Sequence, residues 1–129
     1  EAAGHKVILI ETVGVGQSET MVKGMVDFFM LLMLAGAGDE LQGIKKGIIE
    51  IADALVINKA DGDNLRKVQL AKKEYESALH LFRQNETGWP PQVLICSALK
   101  NQGLNEIWEM ILNFEKMMKK ILLTEYLIL

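Results

Sequence analysis

The chain has 129 residues, the size of one ordinary domain, and half of them are hydrophobic while 24% are charged, enough for both a core and a solvated surface. The net charge is −3 with the basic residues dispersed, which argues against broad nucleic-acid binding, and no apolar run approaches the roughly 20 residues that a bilayer span requires. One cysteine, Cys96, excludes an internal disulfide framework and fits a reducing compartment. With no signal peptide at the start of the sequence, a cytoplasmic protein that contacts neither nucleic acid nor membrane is the expectation.

In chain order, residues 7–10 (Val-Ile-Leu-Ile) read as a strand buried on both faces, ending at Glu11 and a Gly-rich turn. Residues 18–25 read as a short helix opened by a capping serine. Residues 28–34 are continuously apolar and read as a second buried strand, with a buried helix as the competing assignment. Residues 39–51 carry Leu41, Ile44, Ile48 and Ile51 at helical spacing. Residues 54–57 read as a third strand. Asp63 and Asn64 then cap a long helix to about residue 85, with Leu70, Tyr75, Ala78, Leu79 and Phe82 on its apolar side. Gly88-Trp89-Pro90-Pro91 breaks that helix, and residues 93–96 form a fourth strand. Gly103 opens a last helix with Leu104, Ile107, Trp108, Ile111 and Phe114 inward, and the methionines of residues 21–33 read as core. Strands alternating with helices predict an α/β fold, a mainly parallel sheet with helices on both faces. One domain over residues 1–118 is expected, followed by an apolar tail, 119–129, that begins a C-terminal helix or packs on a partner.

In such a sheet ligands bind at the carboxyl ends of the strands, and three strand ends carry suggestive residues. Glu11 is a carboxylate suited to a hard cation such as Mg²⁺, and Gly14 permits backbone approach to a phosphate. The following Gly-rich residues lack the Gly-Lys-Ser/Thr ending of a phosphate loop, and the two glycines Gly38 and Gly43 are followed by Ile44 where such a loop has lysine. At the third strand end stands Asn58-Lys59-Ala60-Asp61. A carboxylate at Asp61 accepts two hydrogen bonds from the N1–H and exocyclic amine of guanine, a donor pair that adenine lacks. Asn58 suits bonding to the base and bracing of neighbouring loops, and the Lys59 stem suits covering the ring plane. At the fourth strand end, Ser97-Ala98-Leu99 offers the Ala98 backbone N–H to guanine O6. Cys96 reads as a buried structural thiol, and His5 and His80 have no metal-site spacing.

With these motifs in this order, the chain resembles the metallochaperone-class P-loop GTPases, and within them the ArgK/MeaB/MMAA subfamily, the methylmalonyl-CoA mutase-associated GTPases. The resemblance is carried by Glu11-Thr-Val-Gly-Val-Gly-Gln-Ser-Glu19, by Gly38-Asp-Glu-Leu-Gln-Gly-Ile-Lys-Lys-Gly47, by Ala52-Asp53, by Asn58-Lys-Ala-Asp61 and by Tyr75-Glu-Ser-Ala-Leu79. It implies part of a P-loop NTPase domain that binds GTP or GDP with Mg²⁺, and a chaperone that loads, protects and reactivates an adenosylcobalamin-dependent methylmalonyl-CoA mutase. By motif, Glu11 belongs to the Mg²⁺ site, Gly14 to the γ-phosphate sensor, and Gln17 joins them as a catalytic residue. Asn58, Lys59, Asp61, Ser97, Ala98 and Leu99 form the guanine pocket. Asp39, Glu40, Gln42, Lys45 and Lys46 belong to a switch that couples nucleotide state to the partner.

Members of that family also carry a phosphate loop with its lysine, a first switch and a dimerisation arm, none of which is recognisable in these residues. The expectation is therefore a truncated portion of a homodimeric GTPase that hydrolyses GTP negligibly by itself. The competing readings are a metal-delivery GTPase, which would need a Cys- or His-rich site, a kinase tied to amino-acid transport, and a non-catalytic interaction fragment.

Overall fold

The computed structural model describes residues 3–12, 19–35, 46–81 and 88–127. Its elements in chain order are α1 (Glu19–Lys23), β1 (Met30–Leu34), α2 (Lys46–Ile51), β2 (Ala54–Asn58), a 3-10 turn (Gly62–Asn64), α3 (Leu65–Leu81), β3 (Gln92–Ile95) and α4 (Leu104–Leu127). The three strands form a parallel sheet in the order β1-β2-β3. Met30 pairs with Ala54 and Leu34 with Asn58, while Ala54 pairs with Gln92 and Ile57 with Ile95. Parallel neighbours need a crossover, and α2 and α3 lie in the two connections.

β2 is the centre of the sheet, and Ala54, Leu55, Val56 and Ile57 are each fully buried. Successive strand side chains point to opposite faces, so this apolar run feeds two cores. Leu55 and Ile57 pack with Met33, Ile48, Ile49, Val68 and Tyr75 on the face covered by α2 and α3, with Val22 and Val26 against its margin. Ala54 and Val56 pack with Trp89, Cys96, Ile107, Met110 and Phe114 on the face covered by α4. The Phe114 ring meets Phe28 and Trp89 edge-on, with centroids 4.9 and 5.3 Å apart, which fixes α4 against its face.

Several expectations are corrected. Residues 7–10 form no strand, and Leu9 is 90% exposed. A β-branched run supplies propensity, but a strand exists only where its backbone groups pair, and these do not join the sheet. β1 begins at Met30 and is not buried throughout: Met33 packs in the core of the Leu55 and Ile57 face, while Met30, Leu32 and Leu34 alternate onto the Ala54 and Val56 face, stand outside the cluster under α4 and are exposed. Met21 and Met25 are likewise exposed and outside the core. On α3, Val68 is buried where Leu70 is exposed. On α4 the buried stripe is Ile107, Met110 and Phe114, which turns Leu104 and Trp108 toward its exposed margin. That helix continues without interruption to Leu127. Residues 82–87 and 36–45, including Phe82 and Leu41, lie outside the described residues. No helix among the described residues is long and apolar enough to cross a membrane.

Candidate nucleotide-binding site

The parallel register brings the ends of β2 and β3 side by side, and the two downstream loops meet there. Their backbones interlock: Cys96 N–H donates to Ile57 O at 2.9 Å, and Ala60 N–H donates to Cys96 O at 2.9 Å. Asn58 closes the join with its side chain. Its Oδ1 accepts from Lys59 N–H at 2.7 Å, from Ala98 N–H at 3.1 Å and from the Cys96 thiol at 3.5 Å. One amide oxygen thus ties its own loop to the loop after β3, and burial pushes the Cys96 thiol above its ordinary pKa, keeping it a neutral donor.

Asp61 is held from the opposite loop. Its Oδ2 accepts the hydroxyl of Ser97, a fully buried residue whose Oγ in turn accepts from Lys100 N–H at 3.1 Å. Ser97 also exchanges two 3.0 Å backbone hydrogen bonds with Gln102, so the loop carrying it is closed on itself. This loop can form because Gly103 adopts φ +77°, where a Cβ would stand 2.4 Å from Ile95 O. Between Asn58 and Asp61, Lys59 takes φ +61°, a left-handed conformation uncommon for a non-glycine residue, and its side chain is exposed. Ala60 is buried beneath the loop.

Asn58, Lys59, Asp61, Ser97 and Ala98 therefore converge on one edge of the sheet, with Leu99 82% exposed beside them. The pattern can present a carboxylate, a backbone N–H and a lysine stem to a planar base. Glu11 is exposed and is not among the residues brought together at the ends of β2 and β3. Gly14, Gln17, Asp39, Glu40, Gln42 and Lys45 lie outside the described residues, and Lys46 is placed by its backbone alone, at the start of α2. Among the described residues no group of three or more His, Cys, Asp or Glu side chains is placed to hold a metal ion.

Two residues with structural work escaped the sequence reading. Asp53, fully buried, accepts Phe29 N–H at 2.8 Å and the Lys23 ammonium on Oδ2, while its carbonyl accepts the Trp89 indole N–H at 3.0 Å. Asn64, read as a helix cap, instead donates its side-chain amide to Lys59 O at 2.9 Å. An aspartate between an apolar helix end and an apolar strand was the available signal for the first. The second had none, since asparagine before a helix reads as a cap.

A family model described as methylmalonyl Co-A mutase-associated GTPase MeaB matches residues 1–125. The chain is 57% identical over 115 residues to GTPase ArgK of Escherichia coli K12, covering 89% of this chain and 35% of that protein. It is 49% identical over 118 residues to the mitochondrial methylmalonic aciduria type A homolog of Mus musculus, covering 92% of this chain and 28% of that one. The crystal structure of a LAO/AO transport system kinase superposes with a TM-score of 0.83 at 51% identity, over 92% of this chain and 37% of that one. The chain thus spans about a third of the length of the curated relatives it matches. Its parallel sheet and flanking helices are those of part of a P-loop NTPase domain. With the match running over nearly its whole length, the chain belongs to the MeaB family of methylmalonyl-CoA mutase-associated GTPases.

Proposed function

We propose that this chain is the guanine-reading portion of a GTPase that assists an adenosylcobalamin-dependent methylmalonyl-CoA mutase with cofactor loading, protection and reactivation. The observation that carries this reading is the cross-bracing of Asn58 and Asp61 to the Cys96–Ala98 loop at the carboxyl edge of the sheet. In this reading Asp61 accepts the N1–H and exocyclic amine of guanine, a charge-assisted pair that rejects adenine. Ser97 keeps the carboxylate in place, and Ala98 N–H is the donor for guanine O6, exchanging its bond to Asn58. Lys59 covers the ring with its stem.

Glu11 is the proposed Mg²⁺ residue, with Gly14 and Gln17 beside the γ-phosphate. A single exposed carboxylate holds such an ion only together with phosphate oxygens and further ligands, and no step is derived through it. Asp39, Glu40, Gln42, Lys45 and Lys46 are proposed to couple nucleotide state to the mutase through loop order. A homodimeric, cytoplasmic parent completes the reading.

Immobilised chain is expected to retain a purified cobalamin-dependent mutase in preference to an unrelated enzyme of similar charge. Equal retention of both counts against the partner assignment. Phosphate release from GTP by the chain alone is expected at background level, since the sequence holds no phosphate-loop lysine; release at the rate of a full-length relative contradicts that expectation.

A further inference from the structure

Asn64 stands three residues beyond the guanine motif, at the end of the 3-10 turn, where an asparagine ordinarily caps the helix that follows. Its side chain points the other way. Nδ2 donates to Lys59 O at 2.9 Å, and its backbone N–H donates to Asp61 O at 3.2 Å. The side chain and main chain of one residue thus hold the carbonyls on either side of Ala60.

The Lys59 carbonyl needs such a partner because Lys59 is left-handed, a conformation that is strained for a residue with a Cβ. Three hydrogen bonds fix the peptide groups around it. Lys59 N–H goes to Asn58 Oδ1, Ala60 N–H goes to Cys96 O, and Lys59 O receives the Asn64 amide. The first comes from the half-buried end of β2, whose Asn58 also ties the loop after β3, and the second from the main chain of the buried Cys96. The third comes from a half-buried side chain on the turn, so it is the tie that a substitution can remove with the sheet left intact.

We infer that Asn64 is a positioning residue of the base pocket, holding Lys59 in the left-handed conformation that lays its stem over the purine ring. The inference rests on the guanine-reading assignment above and extends it to a residue outside the four-residue motif. It also separates two tasks within one loop. The backbone N–H of Asn64 keeps Asp61 in place whatever side chain stands at position 64, whereas Lys59 depends on the amide itself. Loss of that amide should weaken purine binding while leaving the choice of base unchanged.

The test is an NMR titration of the isotopically labelled chain with GDP and ADP, for the wild type, Asn64→Ala and Asn64→Asp. Asn64→Asp keeps the shape of the side chain but sets a carboxylate against the Lys59 carbonyl in place of a donor. Both variants are expected to lose the left-handed backbone shifts of Lys59 and to bind GDP about three- to tenfold more weakly, the worth of one hydrogen bond. They should still prefer GDP to ADP and give the wild-type strand and helix spectrum. A left-handed Lys59 and unchanged GDP affinity in Asn64→Asp overturn the inference, as does loss of the guanine preference, which would place the effect on Asp61. A wild-type chain that does not prefer GDP removes the guanine-reading assignment itself, and is told apart by failing before any substitution is made.

Discussion

At the scale of single residues, Asp61 and Asp53 show two different settings for a carboxylate. Asp61 sits partly exposed at the sheet edge, where among the described residues its side chain accepts from the Ser97 hydroxyl. Asp53 is fully buried one strand-length away, and its acceptors serve the fold: a backbone N–H of the segment before β1, an ammonium from α1, and an indole N–H from the segment before β3. A buried charge is expensive unless paired, so the Lys23 partner, itself partly exposed, is what makes the carboxylate tolerable there. Asp53→Ala leaves Phe29 N–H without its acceptor and Lys23 without its counter-charge. The expected loss of unfolding free energy is about 3 kcal/mol, read from urea denaturation. An unchanged midpoint contradicts the structural role given to Asp53.

At the scale of elements, β2 and β3 were legible because their apolar runs are short and are bounded by turn and polar residues. The same logic failed for residues 7–10, where the pattern is equally apolar but no ladder forms. Propensity is local and pairing is not. Helix existence was readable from periodicity, but helix phase was not: Met110 and Val68 take buried positions that the reading gave to Trp108 and Leu70, since phase is set by the opposing face of the sheet. In the candidate site, the residue types of Asn58 and Asp61 were legible, whereas their cross-links to Cys96, Ser97 and Ala98 depend on the parallel register of β2 and β3. Gly103 shows how tightly that junction is built. An alanine there would combine a left-handed backbone with a Cβ 2.4 Å from Ile95 O and 3.1 Å from Cys96 Cα. Gly103→Ala is expected to cost about 2–4 kcal/mol and to disturb the Ser97–Gln102 bridge. Intact slow hydrogen exchange at Ser97 and Gln102 in that variant would count against this account.

At the scale of the whole molecule, the sheet places the proposed base-reading loop pair at its carboxyl edge, on a chain covering about a third of relatives named as GTPases. The loops are braced by hydrogen bonds within the described residues, so in the proposed reading base selectivity belongs to this part of the fold and does not wait on the phosphate-binding residues. The central claim is that Asp61 chooses guanine by accepting its N1–H and exocyclic amine. Asp61→Asn replaces one acceptor with a donor, which matches the carbonyl that xanthine carries where guanine has its amine. The most direct measurement is the NMR-derived affinity of the wild-type and Asp61→Asn chains for GDP and xanthosine diphosphate. The account predicts that the wild type favours GDP by at least about tenfold and that Asp61→Asn reverses the order. Equal preference in the two proteins, with the Asn58–Ala98 contact intact in both, would contradict it.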